Sequence, residues 1–222
     1  MKVAGHARKL PVNGAVCRRQ GRFKSKKGYS NLKKNCRLLG TVILLFLLAS
    51  CARTVIPEEV IQAPEFVPVY TSFNLWYDAE GNMDSLNIQK GSILPFGTQI
   101  EFIDATTDRI RFKRVSDGKV FCLEYNFDRT LLPIEKYIRR LFVFTDGKEM
   151  TLSVRPMIQE KIRRGVVEKG MTRNEVLLAF GPPPPMRTPA ESVDTWIYWV
   201  DRGATIRVVF FGNKVIDIIR LD

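Results

Sequence analysis

The sequence predicts an α+β fold: a small β-barrel or curled-sheet module over residues 66–149, then two helices and a three-stranded antiparallel sheet over 150–222. Three observations carry this expectation. Apolar and polar residues alternate on both sides of Asp117-Gly118, a period-two pattern around a turn dipeptide. Thr172 and Glu175 stand at capping-box spacing ahead of an apolar stretch that stops at Gly181-Pro182. Three strand-like runs follow with short connections: Thr195 to Val200, Thr205 to Phe211 and Lys214 to Leu221.

In chain order, residues 1–50 come first and read as an export leader. They hold twelve Lys and Arg and no acidic residue, leaving 23 basic against 23 acidic residues after them. The net charge of +12 therefore belongs to the leader, and nucleic acid is not an expected partner of the remainder. Lys33, Lys34 and Arg37 form a positive region, and Leu38 to Ala49 an apolar one. That apolar stretch falls well short of the roughly 20 residues that cross a bilayer. Leu48-Ala49-Ser50-Cys51 resembles the lipobox of bacterial lipoproteins, in which a signal peptidase recognises the three residues before the cysteine, cuts there, and the thiol carries a diacylglycerol. The resemblance implies membrane attachment through Cys51. Ala52, where an Asp would favour retention at the inner membrane, implies the outer membrane, facing the periplasm. Residues 1 to about 31 are too polar for such a leader, so the true start is expected near Leu32. Residues 51–65, with Pro57, Pro64, Glu58 and Glu59, read as an extended tether.

Residue usage argues against an enzyme. His6 is the only histidine and lies in the leader, so neither a nucleophile–His pair nor a His-bound metal is expected; no cofactor is expected either. Cys17 and Cys36 leave with the leader and Cys51 carries lipid, so Cys122 is expected to have no intramolecular partner. Glu58 with Glu59, and Asp104 with Asp108, are carboxylate pairs without an apolar neighbourhood that would raise one pKa.

In the first module, Leu94-Pro95-Phe96-Gly97-Thr98 reads as a turn feeding a strand from Gln99. A two-residue loop at Asp117-Gly118 would set Phe112 opposite Leu123, Ile110 opposite Tyr125 and Arg111 opposite Glu124. Arg109, Arg111 and Lys113 then line a solvated outer face. After Pro133, Ile134, Ile138 and Leu141 recur at helical spacing.

In the second module, Pro156 opens a helix with Ile158, Ile162 and Val166 on one side. Thr172 caps the next helix, Met171 and Val176 occupy staple positions, and Gly181 serves as a left-handed stop. Val176, Leu177 and Phe180 supply its apolar side. On the strand from Thr195, Trp196 and Tyr198 share one face and Trp199 takes the other.

The series Gly170-Met171-Thr172, Glu175-Val176, Gly181-Pro182, Thr195-Trp196 with Tyr198, and Val208 with Phe210 resembles the BamE family, also called SmpA/OmlA, of outer-membrane lipoproteins. The resemblance covers residues 157–221 and implies a helix–helix–three-strand module and an accessory role in inserting β-barrels into the outer membrane. The short arm by which that family reaches its partners has no counterpart here. The expectation is thus a lipid-anchored scaffold or assembly factor whose partners are other envelope proteins, with Trp199 as a candidate anchor. The alternative is a lipoprotein whose β-module binds peptidoglycan or another glycan.

Overall fold

The computed structural model describes residues 53–201 and 203–221. The first half contains strand β1 (Thr54–Val55), helix α1 (Pro57–Ile61), and strands β2 (Val69–Thr71), β3 (Leu75–Tyr77), β4 (Asn82–Asp84) and β5 (Ser92–Leu94). Strands β6 (Gln99–Thr106), β7 (Arg109–Arg114) and β8 (Val120–Glu124) follow, then helices α2 (Phe127–Thr130) and α3 (Ile134–Leu141) and strand β9 (Phe142–Val143). Beyond a 3-10 turn at Glu149–Thr151 come helices α4 (Pro156–Arg163) and α5 (Arg173–Phe180) and strands β10 (Thr195–Trp199), β11 (Thr205–Phe211) and β12 (Lys214–Leu221).

Strand β6 organises the larger sheet, whose order is β4-β8-β7-β6-β2-β9 with β1 also on β6. A bulge at Ile103 shifts the β6–β7 register between Phe102 and Asp104. An extra residue on one strand increases local twist, and the sheet curls into an open half-barrel. Its concave side holds a core that includes Phe112, Phe121, Leu123 and Ile110. Helix α3 closes this core with Ile134, Tyr137, Ile138 and Leu141, the side that its helical spacing predicts.

The β7–β8 register departs from the expected one by two residues: Ile110 pairs with Leu123, Arg111 with Cys122 and Phe112 with Phe121. The loop holds four residues, closed by the Arg114 amide donating to Lys119 (2.9 Å) and the Gly118 amide donating to Arg114 (2.9 Å). A shift of two preserves the faces, because side chains alternate with period two. Gly118 has φ +70°. The Arg114 guanidinium, hydrogen-bonded to Asp117, holds that carboxyl down at about 2.

The expected α+β fold, with a separate helix–helix–three-strand module at the C-terminus, is overturned. Twelve strands and five α-helices make up the described residues, and no helix exceeds eight residues. Strands β10, β11 and β12 form an antiparallel meander, but the core beneath it draws on Trp76 and Phe96 from the first half. The reason lies in the β3–β5 ribbon. Leu75 pairs with Leu94 and faces the first core, whereas Trp76 pairs with Ile93 and faces the second. Period-two alternation in two three-residue strands thus makes one ribbon the wall between two cores. Asn74, fully buried, locks the junction: its Nδ2 donates to the carbonyls of Ile162 and Ala179 (3.1 Å to the latter), and its Oδ1 accepts from the Phe96 amide (3.0 Å).

Other local expectations also change. The tether is docked at its start: the Arg53 carbonyl accepts from the Thr107 amide (3.0 Å), Thr54 pairs with Thr106 and Val55 with Ala105, and Val55 is buried. Pro57 opens α1 instead of an extended segment, in keeping with its preference for the first helical position. The Arg139 guanidinium donates to the Val60 carbonyl (2.8 Å) and holds α1 down. Helix α4 ends at Arg163, so Val166 is outside it and exposed, whereas Ile158 and Ile162 are buried. The capping box of Thr172 and Glu175 is formed, and Met171 and Val176 are both buried. Gly181 has positive φ (+78°) but extended ψ (−178°), so it leaves the helix without a left-handed turn. The buried side of α5 is Val176, Ala179 and Phe180; Leu177 is only partly covered.

Candidate functional site

The alternation along β10 places its aromatic residues on opposite sides. Trp196 and Tyr198 are buried against α5 and the second core. Burial pushes the Tyr198 phenol well above its ordinary pKa, and its hydroxyl donates to the Gly181 carbonyl (3.0 Å). Trp199 lies on the outer face, half-buried, outside both cores. The Arg187 guanidinium sits 5.0 Å from the Trp199 ring centroid, the geometry of a cation over an aromatic face. Arg187 belongs to the turn after the proline run, where its amide donates to the Pro184 carbonyl (3.0 Å).

Strand pairing extends this outer face across the meander. Trp199 pairs with Thr205, which pairs with Leu221; Ile197 pairs with Arg207, which pairs with Ile219. Phe211 is 80% exposed, and Ile216, Ile219 and Leu221 are also exposed. The outer face thus carries Trp199, Ile197, Phe211, Ile219 and Leu221, divided by Thr205, Arg207 and the Asp217 carboxylate, which pairs with Lys169 (2.9 Å). Along β12, the beginning of the outer edge is occupied: the Gly170 amide donates to Val215 (2.8 Å) and the Val215 amide to Met171 (2.8 Å). Beyond Val215, β12 pairs only with β11 among the described residues. Such an edge offers backbone donors and acceptors to an added strand.

Trp199 is legible in the sequence as an outward aromatic residue. Its neighbours Phe211, Ile216, Ile219 and Leu221, and the capping Arg187, are not among the expected site residues. A signal for them is present: β11 and β12 carry apolar residues at positions of both parities, whereas a sheet with one solvated face alternates apolar with polar. Arg173 likewise does more than hold a helical position. Its guanidinium donates to the carbonyls of Glu191 (2.8 Å), Val193 (2.8 Å) and Gly212 (3.0 Å), pairs with Asp194 (3.0 Å), and lies 4.3 Å from the Phe210 ring centroid. It fastens the start of α5 to the loop before β10 and to the β11–β12 turn.

The cationic row of the first sheet is paired with carboxylates. Arg111 makes a two-pronged contact with Asp104, Arg109 lies 3.8 Å from the same carboxylate, and Lys113 pairs with Glu101 (2.6 Å). Glu124 is pushed above its ordinary pKa, chiefly by burial and then by the Asp84 charge.

Cys51 and the preceding Leu48, Ala49 and Ser50 lie outside the described residues. The expectation that Cys122 has no intramolecular partner is corrected: it is fully buried and disulfide-bonded. Cys17, Cys36 and Cys51 are the chain's other cysteines, all outside the described residues. The bond and the expected processing make opposing demands on them, since cleavage before Cys51 removes two and lipid takes the thiol of the third. Among the described residues no cluster of three or more His, Cys, Asp or Glu could hold a metal ion, and no helix is long and apolar enough to cross a membrane. The chain matches no family model, no curated protein and no solved structure.

Proposed function

We propose that the protein is a lipid-anchored component of a bacterial cell envelope, held through Cys51 at the outer membrane and acting as a binding or scaffold module. The reading extends to an accessory role in outer-membrane protein assembly or envelope integrity. The observation that carries the binding half is the outer face of the β10–β12 sheet, which bears Trp199 and the exposed Phe211, Ile216, Ile219 and Leu221 beside an open strand edge. Large exposed apolar patches on a folded domain mark interaction surfaces, and aromatic residues dominate the energy of such interfaces. The leader and the lipobox-like stretch support the anchoring half.

The test separates the two halves. Cys51→Ser should abolish acyl labelling and release the protein from the membrane fraction; normal labelling would overturn the anchor. Trp199→Ala should keep the melting temperature within a few degrees and lose capture of envelope proteins in crosslinked, detergent-solubilised membranes. Unfolding in Trp199→Ala would place that ring in the core and overturn its role as an anchor. Unchanged capture with an intact fold, in both Trp199→Ala and Phe211→Ser, would overturn this face as the binding surface.

A further inference from the structure

A cavity of about 280 Å³ opens where the second core meets the edge of the meander. Trp76, Ile93 and Phe180 form its inner wall, and Val200, Ile206 and Ile218 its sheet side. The segment after α4, Gly165 to Val167, forms the third side. Gly165 packs against the ribbon so closely that a Cβ there would stand 2.8 Å from both the Trp76 ring and the Ile93 methyl. The backbone therefore approaches the wall as only glycine permits.

The polar groups at this cavity are few and share one preference. Arg164, just past the end of α4, and Arg220, on the inner side of β12 opposite Ile206, are both exposed at it. Neither is among the ion pairs of the described residues. Gln89, held over the cavity by its amide donating to the Trp199 carbonyl (2.9 Å), has its carboxamide nitrogen shielded from solvent and without a hydrogen-bond partner. Buried polar groups without partners are costly and uncommon. Two guanidinium groups outside the ion pairs of the described residues and an unused N–H donor around an apolar hole are complementary to an oxyanion on an apolar body. The hole is large enough for a single aliphatic chain of medium length.

We propose that this cavity is a binding site for a single-chain anionic amphiphile, with the aliphatic chain against Trp76, Ile93 and Phe180 and a carboxylate or phosphate head held by Arg164, Arg220 and the Gln89 amide. The site lies on the inner side of the meander and does not depend on the anchor or on the outer binding face.

Calorimetric titration of the full chain with decanoate, decyl phosphate and decanol, all below micelle formation, tests this. One decanoate or decyl phosphate should bind per chain, and decanol about tenfold or more weakly, since charge-assisted hydrogen bonds carry the difference. The ratio of decanoate to decyl phosphate affinity tells a fatty-acid head from a phospholipid-derived one. Arg164→Gln and Arg220→Gln, at exposed positions, should each weaken decanoate about tenfold with an unchanged melting temperature. Gln89→Leu should weaken it several-fold without lowering the melting temperature, because the unpartnered amide is removed. A purely structural Gln89 would instead destabilise on replacement. Val166→Trp, which fills the mouth from an exposed position, should abolish binding in a folded protein. Absence of saturable binding, equal affinity for decanol, or binding unaffected by both arginine variants would overturn the proposal.

Discussion

At the scale of single residues, Asn74 holds the junction between the two cores. It is polar, fully buried and bonded to three backbone groups from three segments far apart in sequence: Phe96, Ile162 and Ala179. Asn87 extends the junction, its Nδ2 donating to the carbonyls of Asn74 (2.9 Å) and Phe180 (3.1 Å). Asn74→Ala takes the hydrogen-bond partner from the Phe96 amide and the Ala179 carbonyl, each loss costing about 1–3 kcal/mol, whereas the Ile162 carbonyl still accepts from the Gly165 amide (2.9 Å). The expected loss is about 2 kcal/mol or more, measured as a shift in urea midpoint; a loss below about 1 kcal/mol would mean that water replaces the amide. Nothing in the sequence around Asn74 announces this role. An asparagine between apolar residues reads as a turn or loop residue, and its three partners become neighbours only after both cores have formed. Thr172 is the opposite case. Both halves of its capping box are local, within three residues, so spacing alone suffices.

At the scale of elements, legibility follows the range of the contacts. Helices α3 and α5 and the strands of the meander are readable because periodicity and caps are written within about ten residues. The β7–β8 hairpin is readable in its faces but not in its register. Asp117-Gly118 suggests a two-residue loop, whereas the Arg114–Asp117 ion pair and the Gly118 amide close a four-residue one. Gly118 still needs its left-handed conformation, φ +70°, and no heavy atom lies within 4 Å of where a Cβ would stand. Gly118→Val is thus expected to destabilise by about 1 kcal/mol through backbone strain alone. Gly118→Asn, which tolerates positive φ, should recover most of that loss. Equal midpoints for valine and glycine would contradict the loop geometry. The segment before β2 is ambiguous for a related reason: Pro57 and the two glutamates suit either an extended chain or the first turn of a helix. Pairing of Thr54 and Val55 with β6 decides for docking.

At the scale of the whole molecule, the chain is two cores sharing one wall, and that wall is the illegible part. Strands β3 and β5 have three residues each, too short for a period-two signal, and they pair across fourteen intervening residues. Their consequence is that residues 150–222 lack a complete core without Trp76 and Phe96. A fragment of residues 150–222 should therefore show poor amide dispersion by NMR and no cooperative unfolding; a cooperative transition would restore the independent module. Docking of β1 bears on the anchoring too. Only Ala52 and Arg53 separate Cys51 from Thr54, a reach of at most about 11 Å, so a lipid on Cys51 would hold the larger sheet against the membrane surface. Intact and peptide mass spectrometry of the protein extracted from its native membranes, with thiols mapped before reduction, decides whether that lipid is there. The expected species has its N-terminus at Cys51 and carries diacylglycerol on the Cys51 sulfur. A chain that retains residues before Cys51, or a Cys51 joined to Cys122 by a disulfide, would refute the lipid anchor.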